Sequence, residues 1–268
     1  MEKSFMAQEN YELVRMQDSL TDAVMEYNSN KKSNILFICD HASNKIPKEM
    51  EHLGLADYQL GRSLAWDIGA WKVAKELSDR LSAPLIGSGY SRLVIDCNRP
   101  LDAIDCIPSQ TEGVCIPGNM HLDEAQRKQR IEHIYWPYHR AIREKIIAMQ
   151  NSSGPISLIS IHSFTRVMQG VERPWHIGIT YNSQSRLSSL LLKHLNCNGG
   201  KFCIGDNQPY PVCRSSDASI PMHGEDNGIP NVLIEIRQDQ IVNAKSAQLV
   251  VDAIHNGIQS TMRSMAGR

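Results

Sequence analysis

Asn34-Ile-Leu-Phe-Ile-Cys39 runs directly into Asp40-His41-Ala-Ser-Asn44, and this stretch decides how the chain is read. Five consecutive apolar residues bounded by turn formers predict a strand buried on both faces, the mark of a central strand in a parallel or mixed sheet. Two later stretches repeat the pattern. Ile156–Ile161 ends at His162-Ser163, and Val232-Leu-Ile234 ends at Glu235-Ile-Arg237. In open α/β sheets ligands bind outside the carboxyl ends of the strands. Two imidazoles and a carboxylate delivered there from distant segments predict one convergent site.

Working outward, residues 7–28 have helical spacing through Leu13, Met16, Leu20, Ala23, Val24 and Tyr27. A helix is predicted over 63–82, where Leu64, Ile68, Val73, Leu77 and Leu81 share a face. Pro84–Gly89 and Ser91–Cys97 read as a strand pair or one bent strand. A long charged helix is predicted over 123–150, kinked at Pro137. Further strands are expected at 156–162, 175–180 and 232–236, and helices at 184–196 and 244–264. The irregular stretches 101–120 and 197–230 read as loops that could cover a site. Strands alternating with helices imply an α/β sandwich with a mostly parallel sheet. No linker divides the 268 residues, so one domain over 1–268 is expected.

Composition narrows the function classes. The net charge is −1 and no Lys/Arg block occurs, so no field favours nucleic acid. No apolar run approaches the ~18–20 residues of a membrane span. The first ten residues lack the apolar centre of a secretory signal. Seven cysteines without a C-x-x-C pair suit a reducing, cytoplasmic setting better than a disulfide framework.

Several residues carry candidate chemistry. His41 and His162 at strand ends can ligate a divalent metal, or simply bond neighbouring backbone. Glu235 lies among β-branched residues, where a carboxylate is costly unless paired. It is either a structural partner of Arg237, two residues on, or a general base that activates water. Arg92 could polarise a carbonyl, and the fork of Arg99, next to Asn98, matches a carboxylate, or either arginine simply forms a surface or structural ion pair. His223, in a glycine-flanked loop, either approaches substrate or caps the loop. His139 on the charged helix reads as structural.

Cys39-Asp-His-Ala-Ser-Asn-Lys-Ile-Pro47, Ser91-Arg-Leu-Val-Ile-Asp-Cys-Asn-Arg-Pro100, Ser160-Ile-His-Ser163 and the run from His223 to Asp239 resemble the N-formylglutamate amidohydrolase family, in order, from about residue 34 to 240. Three of these points are similar to the more distant zinc carboxypeptidases. The resemblance implies a three-layer, zinc-carboxypeptidase-like sandwich with helices on both faces. It also implies a metal-dependent hydrolase of a small N-acyl amino acid, N-formyl-L-glutamate being the family's substrate. By position, His41 and His162 become ligands of a divalent metal, zinc being expected. Asn98 and Arg99 become a carboxylate clamp, with Arg237 and His223 at the substrate. Glu235 becomes the base and Arg92 the oxyanion-stabilising arginine. The fourth residue of the carboxypeptidase His-x-x-Glu pair is here Asn44, so the third ligand falls to Asn44 or to a replacement. Asp67 is the first candidate, with Asp40 and Asp96 behind it. The alternatives are a related deacylase or carboxypeptidase with another substrate, and a non-catalytic protein that binds carboxylates.

Overall fold

The computed structural model describes residues 22–197 and 200–267. Its strands are β1 (Val24–Tyr27), β2 (Ile35–Cys39), β3 (Leu85–Ser88), a small hairpin β4 (Gln110–Thr111) and β5 (Val114–Cys115), β6 (Ser157–Phe164), a second hairpin β7 (Val167–Met168) and β8 (Val171–Glu172), β9 (Ile177–Thr180), β10 (Ile204–Asp206) and β11 (Asn231–Arg237). The main helices are α1 (Ala70–Leu81), α2 (Glu124–Arg130), α3 (Trp136–Ser153), α4 (Arg186–Asn196) and α5 (Ala244–Ala266). Seven strands form one sheet in the order β1-β3-β2-β6-β11-β9-β10. β1 is antiparallel to β3 and β9 to β11, and the remaining pairs are parallel.

The apolar run of β2 is continuous because both of its faces are covered. Leu36 and Ile38 join one core layer, with Leu158, Leu233, Tyr138 and Ile142. Ile35, Phe37 and Cys39 join the other, with Ile159, Ile161, Ile234, Val73, Leu191 and Val250. The sheet is thus sandwiched between α3 with its neighbouring loops on one side and α1, α4 and α5 on the other, the α/β arrangement that the alternation implies.

Chain order places a switch point between β2 and β6. The chain leaves β2 for β3 on one side and returns to β6 on the other. Connections that diverge in this way open a crevice at the carboxyl ends of the two strands. His41 and His162 flank it.

Four expectations need correction. The predicted helix over 7–28 falls mostly outside the described residues, and its last part is instead edge strand β1, paired with β3. Met25 and Tyr27 pack against the core there, so alternation outweighs a helical spacing that this short piece also satisfies. Ser91–Cys97 is a buried turn, not a strand. The Ser91 side chain bonds the Ala65 carbonyl and the Leu93 amide, which curls the backbone away from the sheet. The helix predicted over 63–82 begins only at Ala70. Gly69, at φ +83°, admits the turn before it, and a Cβ there would meet Ile241 Cδ1 at 2.8 Å. Asp67 is thereby released from the helix. Finally, Pro137 is accommodated after a π-helical turn, Ile131–Tyr135, that joins α2 to α3.

Candidate active site

The crevice gathers five ionisable side chains from four segments: Asp40 and His41 after β2, Asp67 before α1, Asp96 after β3, and His162 in β6. All are buried. His41 Nδ1 faces Asp67 Oδ2 at 3.4 Å, and His162 Nδ1 faces the same oxygen at 2.9 Å. The opposite nitrogens are held by separate carboxylates, His41 Nε2 by Asp96 Oδ1 at 2.7 Å and His162 Nε2 by Asp40 Oδ2 at 2.8 Å. The two rings meet edge-on, with centroids 4.9 Å apart.

This arrangement tests whether the residues suit a metal. A neutral imidazole carries one N–H. Asp96 and Asp40 each draw that N–H to Nε2, so both Nδ1 lone pairs point at a carboxylate. Acceptor then faces acceptor at two contacts, which positive charge resolves: a second proton on each ring or a metal ion held between them. His41, Asp67 and His162 offer two nitrogens and one oxygen that all lie within 4.8 Å of one another. Two histidines and a carboxylate form a recurring set for divalent metal in hydrolases, with a further position left for water. The backing carboxylates supply the outer support such ligands usually have.

The electrostatics agree. Burial alone would depress both imidazoles. Around His162 the Asp40 and Asp67 carboxylates reverse this and push its pKa well above the usual value. Around His41 burial and Arg92 oppose protonation, yet Asp96 and Asp67 raise it. Burial would likewise raise the three aspartates. The imidazoles beside Asp40 and Asp67, and Arg92 with His41 beside Asp96, hold them well below the carboxylate range. Asp40 also accepts from Ser160, Tyr138 and Ser219.

Glu235 lies in β11, in register with His162 on one side and Gly178 on the other. Parallel partners project to the same face, so the carboxylate stands beside the His162 ring. Its Oε2 is buried without any hydrogen-bond partner, and burial pushes its pKa up to about 7, against the charge of His162. Gly178 is required at this point. A Cβ there would sit 1.8 Å from the Gln208 carbonyl, so glycine lets the 206–212 loop press against the sheet next to Glu235.

The remaining sequence candidates are placed as follows. Arg92 grips Asp96 Oδ2 through Nε at 3.0 Å and Nη2 at 2.7 Å, and its Nη1 faces Asp67 at 3.7 Å. Asn44, considered as a ligand, donates its amide to the Leu60 carbonyl at 2.9 Å. Asn98 and Arg99 are not aimed at the crevice. Asn98 donates to Asp217 and accepts from the Ala218 and Ser219 amides, and Arg99 bonds Asp105 and the Ser216 carbonyl. Together they fasten the loop that brings Ser219 to Asp40. Arg237 pairs with Asp239, not with Glu235, and donates to the Arg173 and Pro174 carbonyls. His223 bonds His139 at 2.8 Å in a second histidine pair apart from the first. Asp40 and Asp96, considered as ligands, instead orient the two histidines. Arg173 and Tyr210, near Glu235, carry no motif that a reading of the sequence would single out.

Comparisons with known proteins identify the family and the fold. No curated protein matches the chain significantly. The fold superposes on the gene product Atu2144 from Agrobacterium tumefaciens with a TM-score of 0.88 at 34% identity, over 92% of this chain and 98% of that one. An N-formylglutamate amidohydrolase from Ralstonia eutropha JMP134 shares the fold with a TM-score of 0.68 at 14% identity, over 92% of this chain and 100% of that one. Residues 33–242 match the N-formylglutamate amidohydrolase family, a stretch that holds every residue of the crevice. The chain belongs to that family, whose activity is hydrolysis of a carbon–nitrogen amide bond.

Proposed function

We propose that this amidohydrolase cleaves the amide of a small N-acyl amino acid, N-formyl-L-glutamate in the first place, releasing formate and glutamate. His41, Asp67 and His162 hold a divalent metal, zinc by the nature of the donors. When bound, the metal supplies a Lewis acid that polarises the acyl oxygen and lowers the pKa of water. Asp40 and Asp96 keep Nε2 protonated on each histidine and so keep both Nδ1 lone pairs turned toward Asp67. Glu235 takes a proton from water as the water oxygen bonds the acyl carbon. It returns that proton to the amine nitrogen as the carbon–nitrogen bond breaks. A pKa close to neutrality suits both transfers. Arg92, already fixed by Asp96, presents Nη1 to the charge that develops on the acyl oxygen.

The observation that carries this reading is Glu235: a buried carboxylate with an unpartnered oxygen, in register with a histidine whose two nitrogens both face carboxylates. Metal content, measured on the same preparation as formate release from N-formylglutamate, tests it. A stoichiometric transition metal with formate release supports the reading. Metal-replete protein that hydrolyses N-acetyl or N-succinyl amino acids but no N-formyl compound moves the assignment to a related deacylase. Absence of both metal and turnover sinks it.

A further inference from the structure

Arg173 is a buried cation without a carboxylate partner among the described residues. The residue is 8% exposed. Its Nε donates to the Thr165 carbonyl at 2.8 Å and its Nη2 to Thr165 Oγ1 at 2.5 Å. The guanidinium lies over the Phe164 ring at 4.9 Å and toward the Tyr210 ring at 5.8 Å. Nη1 has only weak contacts, Met168 Sδ at 3.6 Å and the Tyr210 hydroxyl at 3.4 Å. Among the described residues no carboxylate pairs with it. Arg92 and Arg237 differ, the first having Asp96 and Asp67 and the second Asp239, and the buried Arg130 has three carbonyl or amide oxygens on its two terminal nitrogens. A desolvated charge without a counterion is costly, and nothing in the packing of Phe164 and Tyr210 requires one.

The position gives the charge a use. Glu235 feels the Arg173 charge. Phe164, under the guanidinium, lies two residues past His162 in β6 and so on the same face, and Tyr210 meets the guanidinium from the 206–212 loop. Tyr210 is 46% exposed, which leaves this corner open to solutes. Asn98 and Arg99 are occupied elsewhere. We propose that Arg173 Nη1, with the Tyr210 hydroxyl, forms the subsite that takes a carboxylate of the substrate, and that Arg237 is its positioning residue through the Arg173 and Pro174 carbonyls. The proposal rests on the reading of the neighbouring site as one that binds an N-acyl amino acid. An arginine fork fixed by Thr165 and stacked on an aromatic ring is preorganised for a planar carboxylate, and a substrate anchored there is held with its amide toward Glu235.

Calorimetric binding of L-glutamate, L-glutamine and L-isoglutamine to the metal-loaded wild type, Arg173→Gln and Arg173→Lys tests this. Losing one partner of a desolvated charge pair predicts that L-glutamate binds Arg173→Gln about 30-fold more weakly or worse. Whichever amide lacks the carboxylate read by Arg173 binds wild type and Arg173→Gln alike, which identifies the α- or side-chain carboxylate. Arg173→Lys, which keeps the charge, recovers part of the affinity. With N-formylglutamate, KM rises in Arg173→Gln while kcat changes little. L-glutamate binding to both variants within about twofold of wild type overturns the subsite, as does an equal loss for all three ligands, or no binding of any of them to wild type. Formate release by wild type with an unchanged KM in Arg173→Gln removes the subsite and leaves the hydrolase reading standing. Arg173-dependent glutamate binding without formate release keeps the subsite and removes the hydrolase reading.

Discussion

Two buried histidine pairs lie in this protein, and they behave oppositely. His41 and His162 are ringed by Asp40, Asp67 and Asp96, and their basicity is raised. His139 and His223 share one 2.8 Å hydrogen bond and stack with centroids 5.1 Å apart, flanked by Tyr135 and Tyr138. Burial, helped by the facing His223 ring, pushes the His139 pKa down to about 3, and burial pushes that of His223 down to about 4. Residue type and depth are the same in both pairs. What differs is the number of carboxylates turned inward. Three acids make the first pocket favour positive charge, whereas rings and hydroxyls make the second disfavour it. The comparison explains why one pair can hold a metal and the other acts as a neutral brace beneath the loop that carries Ser219.

The comparison can be broken most directly at Asp67. Asp67→Asn removes the charge shared by both Nδ1 atoms. Metal content should fall from stoichiometric to below detection, with formate release lost, while His139→Gln leaves metal content intact. Retention of metal by Asp67→Asn would show that the inward carboxylate does not set the cation affinity. Next in size, Glu235→Gln should lower kcat by about 10²–10⁴-fold, the range for loss of a general acid–base. Metal content and the thermal midpoint should stay near wild type, which separates proton transfer from cation binding in the same pocket.

A smaller effect is expected behind the ligands. Asp96→Asn, which weakens the support of His41 Nε2, should reduce metal affinity by about 10–100-fold, read by competition with a chelator. An unchanged affinity would mean that His41 needs no carboxylate to hold its tautomer.

The smallest effect concerns pH and the second pair. His139 and His223 have folded pKa values below their unfolded value of about 6.5. Between there and about 4 to 3 the unfolded chain binds more protons, so stability falls as pH falls through that window. The slope is at most about 1.4 kcal/mol per pH unit for each group. The His139→Gln/His223→Gln variant keeps a hydrogen-bonded pair without titration, and its unfolding free energy from denaturant titration should vary less between pH 6 and pH 4, by up to about 1.4 kcal/mol per pH unit for each histidine removed. In metal-depleted protein the first pair has the opposite sign. Its raised values stabilise fully below about 6.5, and that contribution is lost as pH rises through the folded values. Parallel pH slopes for the two pairs would remove the distinction between them.

The residues at strand ends were legible in the sequence because their strands are short, apolar and buried on both faces. A period of two then settles which side chain reaches the rim, as for His162 and Glu235. Asp67 could be named as a candidate because it follows the first loop closely, but its release from α1 depends on the turn that Gly69 admits. Asn98 and Arg99 read as a clamp because an exposed arginine fork and one tied to Asp105 look identical in sequence. Val24–Tyr27 satisfied a helical spacing, and only the presence of β3 as a partner made it a strand. Arg173 has no neighbouring motif, and that no carboxylate among the described residues pairs with it is visible only in the tertiary structure.

Local order along the chain therefore settled the central strands, the residues carried at their ends and the family they define. Those depend on side-chain periodicity and on contacts between near neighbours. Which carboxylate faces which nitrogen was decided by the tertiary structure alone. Asp40, Asp67 and Asp96 come from separate segments, and it is their convergence in a buried pocket, where an unpaired charge is costly, that sets the protonation of His41 and His162.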